Sequence, residues 1–589
     1  MTASAPPARA PGRPVPLPLL AAAAALAALA ATLVEIDDPD TFHHLALGRE
    51  IALHGLPTAE PFLYPLRGAA TMPPPSWLGS LGIYGFVALL GERALAFFPA
   101  LVAAAIVVVL LLDALQRTRP PTWAAAAGAA LPIALAVETM RYRVAARPEM
   151  LAVLFLALTM WGLRRLEEGR PRLLLAFPAL ALLWGNVHPS TLAGIVPIAV
   201  FAACGAAAIL ASRALRRPLP FAPPPRQVAI AAAVAAAGLA ASFANPSPSN
   251  PVLEAARFAL SALRLGEGGG AGGGVALESV TRFVDEMQGA GWLVWTSPAG
   301  ALIALAALSF ALRWRAPRPR ELVTAALFAW LPFGAVRFAL LFAVVAAPIA
   351  ARNLADALQE LPERARGLPL RATAAAALAA LAVASAPLGM QAPHIRFGTG
   401  LVPGAFPVRG ADYLAAIPFD GRVFNTFHLG GYLEWRRAAY PYQDGRGGVP
   451  PGEADAAFMG PANPVTFAAL DAKYRFDAVL LTVPTMSPGF AQALAASGRT
   501  DDWVLDRRMW SLVAFDDGGL LYLRRGGRYA ALAARDEYRV AVPASPSALP
   551  VSDLRGAIAE YRRSLAEVPT CLRCRRALAE LLQSSEGAR

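Results

Sequence analysis

Charged residues are scarce in this sequence of 589 residues. Asp, Glu, Lys and Arg make up 16% of it, against about 25% in a typical soluble domain. Hydrophobic residues make up 56%, and the mean hydropathy is +0.46. This composition excludes an ordinary soluble enzyme. We predict an integral membrane protein, because the apolar residues gather in runs of about 15 to 25, the length that crosses a hydrocarbon core about 30 Å thick.

Lysine and cysteine are also nearly absent. Lys473 is the single lysine among the 53 basic residues, and the net charge is +12. The arginines lie in short loops between apolar runs rather than on a continuous basic face, so nucleic acid is not expected as a partner. Three cysteines exclude a disulfide scaffold. For Cys571 and Cys574, a local disulfide and two free thiols both remain open.

About eleven apolar runs between residues 16 and 390 are predicted to cross the membrane. Arginines in alternate loops place those loops, and the tail 1–15, in the cytoplasm. The apolar stretch 76–91 is short and follows three prolines, and as a span it would invert every later loop. We therefore expect an interfacial helix there, on the outer surface. The runs lie near 16–35, 93–113, 121–139, 148–164, 171–187, 189–211, 227–244, 294–313, 321–335, 338–351 and 370–389.

Three segments are then expected on the outer side of the membrane: the first outer loop (36–92), a loop at 245–293 with a mobile glycine-rich tip, and everything after about 390. Short strand-like runs alternate with helical ones over 391–550, which predicts an extracytoplasmic α/β domain. Residues 551–589 read as a tetratricopeptide-like helical hairpin. One such repeat cannot bury its own face, so it must pack on something else. The fold class is thus an all-α polytopic membrane protein with a small α/β domain and a short helical tail.

A cluster of acids and histidines follows the first apolar run. Asp38, Asp40, His43 and His44 lie where the chain reaches the outer surface, and ionisable groups at a membrane boundary need a partner or a metal. Asp40, with Asp38 beside it, is a candidate general base or a ligand for a divalent metal, Mg²⁺ or Mn²⁺. His43 or His44 is a candidate to position or protonate a leaving group. The alternative is a solvated turn whose acids only mark the outer side.

This stretch resembles the first outer loop of GT-C superfamily membrane glycosyltransferases, including bacterial relatives of the oligosaccharyltransferase catalytic subunit and the dolichyl-phosphate-mannose-type enzymes. The shared pattern is an Asp, then aromatic-His-Leu, a helix ending in His54-Gly-Leu-Pro, and Glu60-Pro-Phe. The segment Pro73-Pro-Pro-Ser-Trp-Leu-Gly is similar to a juxtamembrane helix of the superfamily. The resemblance implies that Asp40 is the catalytic aspartate and that Glu60 stands in the substrate site. It also implies a polyprenyl-phosphate-linked sugar as donor.

Arginines on the outer side are the second candidate group. Arg141, Arg143 and Arg147 lie in a loop that the topology puts outside, where guanidinium groups suit the phosphate of a lipid-linked donor. The alternative is pairing with loop acids or lipid headgroups. His188 is a candidate to line the substrate cavity, or is a satisfied interfacial histidine. Arg337 is a second candidate phosphate ligand, or reaches towards headgroups.

The predicted α/β domain contains a motif whose role the sequence leaves open. Val423-Phe-Asn-Thr-Phe-His-Leu-Gly-Gly-Tyr-Leu-Glu-Trp435 is followed by Tyr442-Gln-Asp-Gly-Arg446. These residues predict a strand, a tight turn at Gly430-Gly431 and the start of a helix. Recognition of an acceptor and maintenance of the fold are both open.

Together these features predict an integral membrane glycosyltransferase of the bacterial inner membrane. It would move a sugar from a polyprenyl-phosphate carrier to a glycan, lipid or protein acceptor on the outer face. The alternative is an inactive GT-C-like protein that serves as an assembly or docking platform in cell-envelope glycan synthesis and binds a protein partner through its helical tail. A transporter is disfavoured, because the predicted spans carry almost no charge at mid-membrane.

Overall fold

The structure is a computed structural model that describes residues 17–71, 73–115, 123–247, 291–316, 318–360, 396–446, 453, 456–457, 463–482, 505–541, 543 and 553–587. The predicted tail 1–15, the glycine-rich tip near 270 and the apolar run 370–389 lie outside these residues.

Ten of the predicted apolar runs coincide with helices. Within the part of the chain that the structure describes, four helical stretches are long and apolar enough to cross a membrane: Glu92–Leu115, Pro189–Ala214, Pro225–Ser242 and Val336–Leu358. Shorter apolar helices accompany them, and the count of eleven spans stays a prediction. The helices of this part are α1 (Leu17–Thr32), α2 (Pro39–His54), α3 (Trp77–Leu90), α4 (Phe97–Leu115), α5 (Trp123–Arg141), α6 (Pro148–Glu167), α7 (Arg172–Leu175), α8 (Phe177–Val187), α9 (Leu192–Ala214), α10 (Pro225–Ser242), α11 (Pro298–Leu312), α12 (Pro319–Gly334) and α13 (Ala339–Glu360). Short 3₁₀ turns lie at Tyr64–Leu66, Glu92–Ala94, Pro189–Thr191, Gly291–Thr296 and Val336–Phe338.

Small residues let the central helices pack closely. Helix α13 is lined by alanines and valines that are almost fully buried, and it packs along α5. A Cβ atom at Gly128 of α5 would lie 2.7 Å from the backbone nitrogen of Ala355, so no larger residue fits at this crossing. Close backbone approach through small residues is a common way for membrane helices to associate.

A buried ion network ties three of these helices together. Arg352, in α13, is only 4% exposed. It donates hydrogen bonds to Asp113 of α4 and Glu321 of α12, each at 2.8 Å. This arginine follows the apolar run 338–351 within the same helix, Ala339–Glu360, where two carboxylates compensate its charge. Burial of one member without the others would be strongly unfavourable.

A four-stranded sheet lies in the carboxyl-terminal third. Its strands are β1 (Val423–Asn425), β2 (Ala478–Thr482), β3 (Trp510–Phe515) and β4 (Gly519–Arg524), in the order β1-β2-β4-β3. Strand β1 pairs parallel with β2, whereas β4 runs antiparallel to both of its neighbours. Nearly every strand residue is buried, which indicates cover on both faces. The accompanying helices are α14 (Val408–Ala416), α15 (Gly430–Arg436), α16 (Pro464–Tyr474) and α17 (Ala530–Arg535), with a 3₁₀ turn at Phe427–Leu429.

The helical tail packs on this sheet. Helices α18 (Leu554–Glu567) and α19 (Leu572–Gly587) form a hairpin, and a disulfide joins Cys571 to Cys574. The carboxylate of Asp517, between β3 and β4, accepts hydrogen bonds from the backbone nitrogens of Leu572 and Arg573 at 2.7 and 2.8 Å. The sheet is therefore the surface on which the hairpin buries its face. Its likeness to a tetratricopeptide unit stays a prediction.

The sheet unit is joined to the first outer loop by direct contacts. Backbone bridges pair Val34 with Phe397 and Ile36 with Leu401. Phe42 of α2 packs edge-on against Phe406 and Tyr432, with ring centroids 4.8 and 4.9 Å apart. Helix α2 is thus held between the membrane helices and the sheet unit, and both therefore contribute residues to its surroundings.

Candidate active site

The start of α2 is set by its own sequence. Asp38 caps the helix, because its carboxylate accepts hydrogen bonds from the backbone nitrogen and the hydroxyl of Thr41 at 2.9 and 2.8 Å. Pro39 occupies the first helical position, where its missing N–H costs nothing. Asp40 then lies in the first turn, and His43 follows three residues later on the same face of the helix.

Arg147 joins this helix start to the loop between α5 and α6. Its Nε donates to both carboxylate oxygens of Asp38 at 2.9 Å, and its Nη2 lies 3.2 Å from Oδ2 of Asp40. The Asp38 side chain is 10% exposed, whereas that of Asp40 is 27% exposed. The acidic turn and the arginine loop, both predicted on the outer side of the membrane, are therefore in contact.

The two carboxylates differ in proton affinity. Burial alone raises the pKa of Asp38, but the charge and hydrogen bonds of Arg147 outweigh it and lower the pKa to about 2. The pKa of Asp40 is raised, because burial and the neighbouring charges of Asp38 and Asp444 outweigh the attraction of Arg147 and His43. Asp40 is thus the more basic and more accessible carboxylate. Asp38 serves as an ionised anchor for Arg147 rather than a free acid.

Arg143 and Arg337, two of the predicted phosphate ligands, act on the charge of His188. Burial lowers the pKa of His188 to about 4, and the charges of Arg337, Arg143 and Arg147 add to the effect. These three arginines therefore lie near enough to His188 to act on its charge. Arg143 donates to Glu149 at 2.9 Å, and the Nδ1 of His188 lies 2.8 Å from the hydroxyl of Ser190.

Arg141 and His44 have local partners on neighbouring turns or helices. Arg141 pairs with Glu138 of its own helix at 3.1 Å. The Nδ1 of His44 lies 2.9 Å from the hydroxyl of Ser80 in α3, and burial lowers its pKa well below the usual value. A neutral His44 bound to Ser80 fixes α3 against α2. For these two residues, the catalytic and phosphate-binding roles stay predictions.

His43 faces the sheet unit instead of Arg147. Its Nδ1 lies 2.7 Å from Oε2 of Glu434 and 3.9 Å from Oδ2 of Asp444. The side chains of both acids are fully buried. Burial and the charge of Asp444 raise the pKa of Glu434 to about 7. His43 is thus held by two acids that the sequence analysis had not assigned to the site.

Glu60 and Arg446 complete this buried group. Arg446 donates through Nε to Asp444 at 2.8 Å and through Nη2 to Glu60 at 3.0 Å. Glu60 also accepts hydrogen bonds from the backbone nitrogens of Phe62 and Leu63 at 3.0 and 3.2 Å. Its side chain is 9% exposed. In the structure Glu60 supports Arg446, and contact with a substrate stays a prediction.

Glycines explain why the motif of the sheet unit contacts α2 so closely. A Cβ atom at Gly431 would lie 2.9 Å from the backbone nitrogen of His43. At Gly430 and Gly445, a Cβ would overlap the carbonyl oxygen of Gln443 and the carboxylate of Asp40, respectively. The Gly-Gly pair and the Asp-Gly-Arg segment therefore bring Glu434 and Asp444 to the helix that carries Asp40.

Asn425 holds the two halves of that motif together. Its side-chain oxygen accepts from the backbone nitrogen of Tyr442, and its amide donates to the carbonyl of Gln443, both at 2.8 Å. The spacing of the motif at 423–435 and 442–446 indicated that these residues act together. The sequence did not show that the motif packs on α2.

Metal ligands among the described residues form a different set from the one expected. His43, Glu434 and Asp444 each offer a ligand atom, and these atoms lie within 4.8 Å of one another. The oxygens of Asp38 accept hydrogen bonds from Arg147 and Thr41, as those of Asp444 do from Arg446. Binding of Mg²⁺ or Mn²⁺ by Asp40 and Asp38 stays a prediction.

The fold of this chain is similar to that of solved archaeal oligosaccharyltransferase structures. Archaeal oligosaccharyltransferase AglB from Archaeoglobus fulgidus, in complex with an inhibitory peptide and a dolichol-phosphate, superposes with a TM-score of 0.55 at 14% identity, over 84% of this chain and 72% of AglB. The apo form of the A. fulgidus enzyme gives 0.51 at 13% identity, over 87% and 75%. ArnT from Cupriavidus metallidurans bound to undecaprenyl phosphate gives 0.47 at 16% identity, over 86% and 97%. No protein-family model matches the sequence, and no curated protein matches it significantly.

Proposed function

We propose that this chain is an integral membrane glycosyltransferase that moves a sugar from a polyprenyl-phosphate-linked donor to an acceptor on the outer face of the membrane. Two observations support it: the GT-C fold shared with an oligosaccharyltransferase, and a partly exposed carboxylate, Asp40, beside Arg147. The second observation carries the proposal, because a fold alone does not define a reaction.

Asp40 acts as the general base. It takes the proton of an acceptor hydroxyl, and the oxygen attacks the anomeric carbon of the donor sugar. The bond between that carbon and the phosphate oxygen breaks, and polyprenyl phosphate leaves with the electron pair. A carboxylate with a raised pKa is a better base at neutral pH than an ordinary one. Arg147 keeps Asp40 oriented, and Asp38 anchors Arg147.

The phosphate of the donor binds at Arg143 and Arg337. Both guanidinium groups act on His188, together with one nearby carboxylate, Glu149. Guanidinium groups bind phosphate through paired, charge-assisted hydrogen bonds.

The site lies on the outer face of the bacterial inner membrane in this proposal. The arginine-rich loops that are predicted to be cytoplasmic support this orientation. Helix α2 contacts both the Arg147 loop and α15 of the sheet unit, so the sheet unit lies on the same side as the site. The acceptor is a glycan, a lipid or a protein.

Consumption of lipid-linked sugar by the purified protein tests this function. Wild type is incubated with a radiolabelled pool of polyprenyl-phosphate sugars, and release of polyprenyl phosphate is measured. Asp40→Asn is expected to slow release by about 10²- to 10⁴-fold, the usual contribution of a general base. Asp412→Asn is the matched control, because its side chain is 43% exposed and pairs only with Arg436 among the ion pairs of the described residues.

The same variants distinguish catalysis from a platform role. Equal rates for wild type, Asp40→Asn and Asp412→Asn would refute Asp40 as the base. If deletion of the gene also alters cell-surface glycans while Asp40→Asn leaves them unchanged, an inactive docking platform replaces the enzyme as the interpretation.

A further inference from the structure

We propose that His43, Glu434 and Asp444 form a binding site for a divalent transition-metal ion of the Zn²⁺ type, which ties the first outer loop to the sheet unit. This inference stands independently of the glycosyltransferase function. One imidazole nitrogen and two carboxylates form a donor set that suits Zn²⁺ better than Ca²⁺ or Mg²⁺, which prefer oxygen ligands alone.

The distances between the ligand atoms fit such an ion. With metal–ligand bonds of about 2.1 Å, two ligand atoms of a tetrahedral site lie about 3.4 Å apart. The Nδ1 of His43 lies 2.7 Å from one carboxylate oxygen of Glu434 and 3.9 Å from one of Asp444, values that bracket this separation. All three ligand atoms lie within 4.8 Å of one another, so rotation of the side chains brings them to this spacing around the ion, which replaces the proton on Nδ1.

A buried oxygen without a hydrogen-bond partner points to a missing ligand. Oε2 of Glu434 contacts His43, and Oε1 is buried with no N–H or hydroxyl donor among the described residues; the carboxyl groups of Glu434 and Asp444 face each other, so a shared proton or a cation must lie between them. The Glu434 side chain is fully buried. A buried, unsatisfied carboxylate oxygen is costly, and coordination of a cation would remove that cost.

The charges of the cluster also favour a dication. Glu434, Asp444 and Glu60 are three acids around one arginine, Arg446. When the ligands lose their protons to bind a metal, the three carboxylates, Arg446 and a neutral His43 carry a net charge of −2, which one divalent ion cancels. Buried charges persist in proteins when they are paired or coordinate a metal.

The neighbouring residues support the ligands as the outer partners of a metal site do. Arg446 donates a hydrogen bond to Oδ2 of Asp444 at 2.8 Å, and Glu60 fixes Arg446. Arg49 of α2 donates to the backbone carbonyl of Glu434 at 2.8 Å. Such hydrogen bonds orient ligating side chains. The cluster is therefore built as a site and does not consist of acids gathered on a surface.

Metal content of the purified full-length chain tests the proposal. Protein loaded with Zn²⁺ and then dialysed is analysed for bound metal by mass spectrometry. Wild type is expected to retain about one equivalent. His43→Gln and Asp444→Asn are expected to bind Zn²⁺ at least about 100-fold more weakly, since even outer partners of ligands are worth about 10- to 100-fold in affinity. Asp506→Asn, the same change at an exposed acid of the sheet unit, is expected to retain the ion.

Co²⁺ in place of Zn²⁺ decides the case even if a ligand variant fails to fold. In the wild-type site, a four- or five-coordinate Co²⁺ gives intense visible absorption. A weak, octahedral spectrum, or equal Zn²⁺ retention by wild type and His43→Gln, would overturn the proposal and leave a hydrogen-bonded His43–Glu434 pair. Asp40→Asn is expected to keep the metal. Loss of the metal in that variant would refute the ligand set, whatever the variant's transferase activity.

Discussion

Replacement of Gly430 by alanine tests how tightly the sheet unit is fitted to α2. Gly430 has helical backbone angles, φ −59° and ψ −53°, so helix propensity alone favours alanine by at most about 1 kcal/mol. The new Cβ, however, would overlap the carbonyl oxygen of Gln443 and lie 2.8 Å from Cα of Asp444. Carbon atoms pack at about 3.5–4.0 Å, so the loop must move by about 1 Å.

The direction of the net effect follows from these magnitudes. The carbonyl of Gln443 accepts a hydrogen bond from Asn425 at 2.8 Å and cannot turn away without losing it. Overpacking of this kind costs about 1–3 kcal/mol, and loss of the hydrogen bond adds about 1 kcal/mol. Gly430→Ala is therefore expected to destabilise the protein by about 1–3 kcal/mol after the gain in propensity.

Thermal unfolding in detergent, followed by tryptophan fluorescence, measures the effect. Gly82→Ala is the control, because Gly82 lies within the helix Trp77–Leu90 and a Cβ there would meet nothing within 4 Å. The control is expected to melt at or above the wild-type temperature, and Gly430→Ala several degrees below it. Equal melting temperatures for the two variants would show that the loop yields freely and would refute the close fit.

Three further predictions concern charge. Transferase activity should fall as pH drops through the pKa of Asp40, which lies above its usual 3.8, because protonation removes the base; a pH profile that stays flat from neutral to acid would contradict this. Arg352→Met leaves Asp113 and Glu321 buried without their partner and should destabilise the protein by about 3–5 kcal/mol; a change in unfolding free energy below about 1 kcal/mol would argue against the network. Arg143→Lys should raise KM for the lipid donor more than it lowers kcat, because lysine cannot bind phosphate bidentately; a change in kcat alone would contradict phosphate binding in the ground state.

The sequence predicted the helical regions well for a physical reason. A long apolar run in a bilayer satisfies its backbone hydrogen bonds only as a helix or in a closed barrel, so ten of the runs could be located before the fold was seen. The contact between the acidic turn and Arg147 also followed from topology, since both were expected on one face. The sequence did not show whether Asp38 or Asp40 would bind the guanidinium group of Arg147. It depends on the capping geometry of Asp38, which engages Thr41 and Arg147 together.

The second half of the site could not be derived from sequence. Glu434 lies 391 residues after His43, and no local pattern links positions so far apart. Gly430, Gly431 and Gly445 signalled close approach of some element to the backbone. Only the packing of α15 on α2 identifies that element. The sequence therefore shows which residues are charged. It does not show which of them pair when they come from distant segments, as His43 and Glu434 do.

A structure of the chain with polyprenyl phosphate bound would show whether Asp40 and the arginines share one substrate site. Phosphate oxygens are expected within about 3 Å of the guanidinium groups of Arg143 or Arg337, with the carboxylate of Asp40 facing the same cavity. A phosphate bound more than about 15 Å from Asp40 would contradict a shared site, because no donor sugar could then reach the base in reacting geometry.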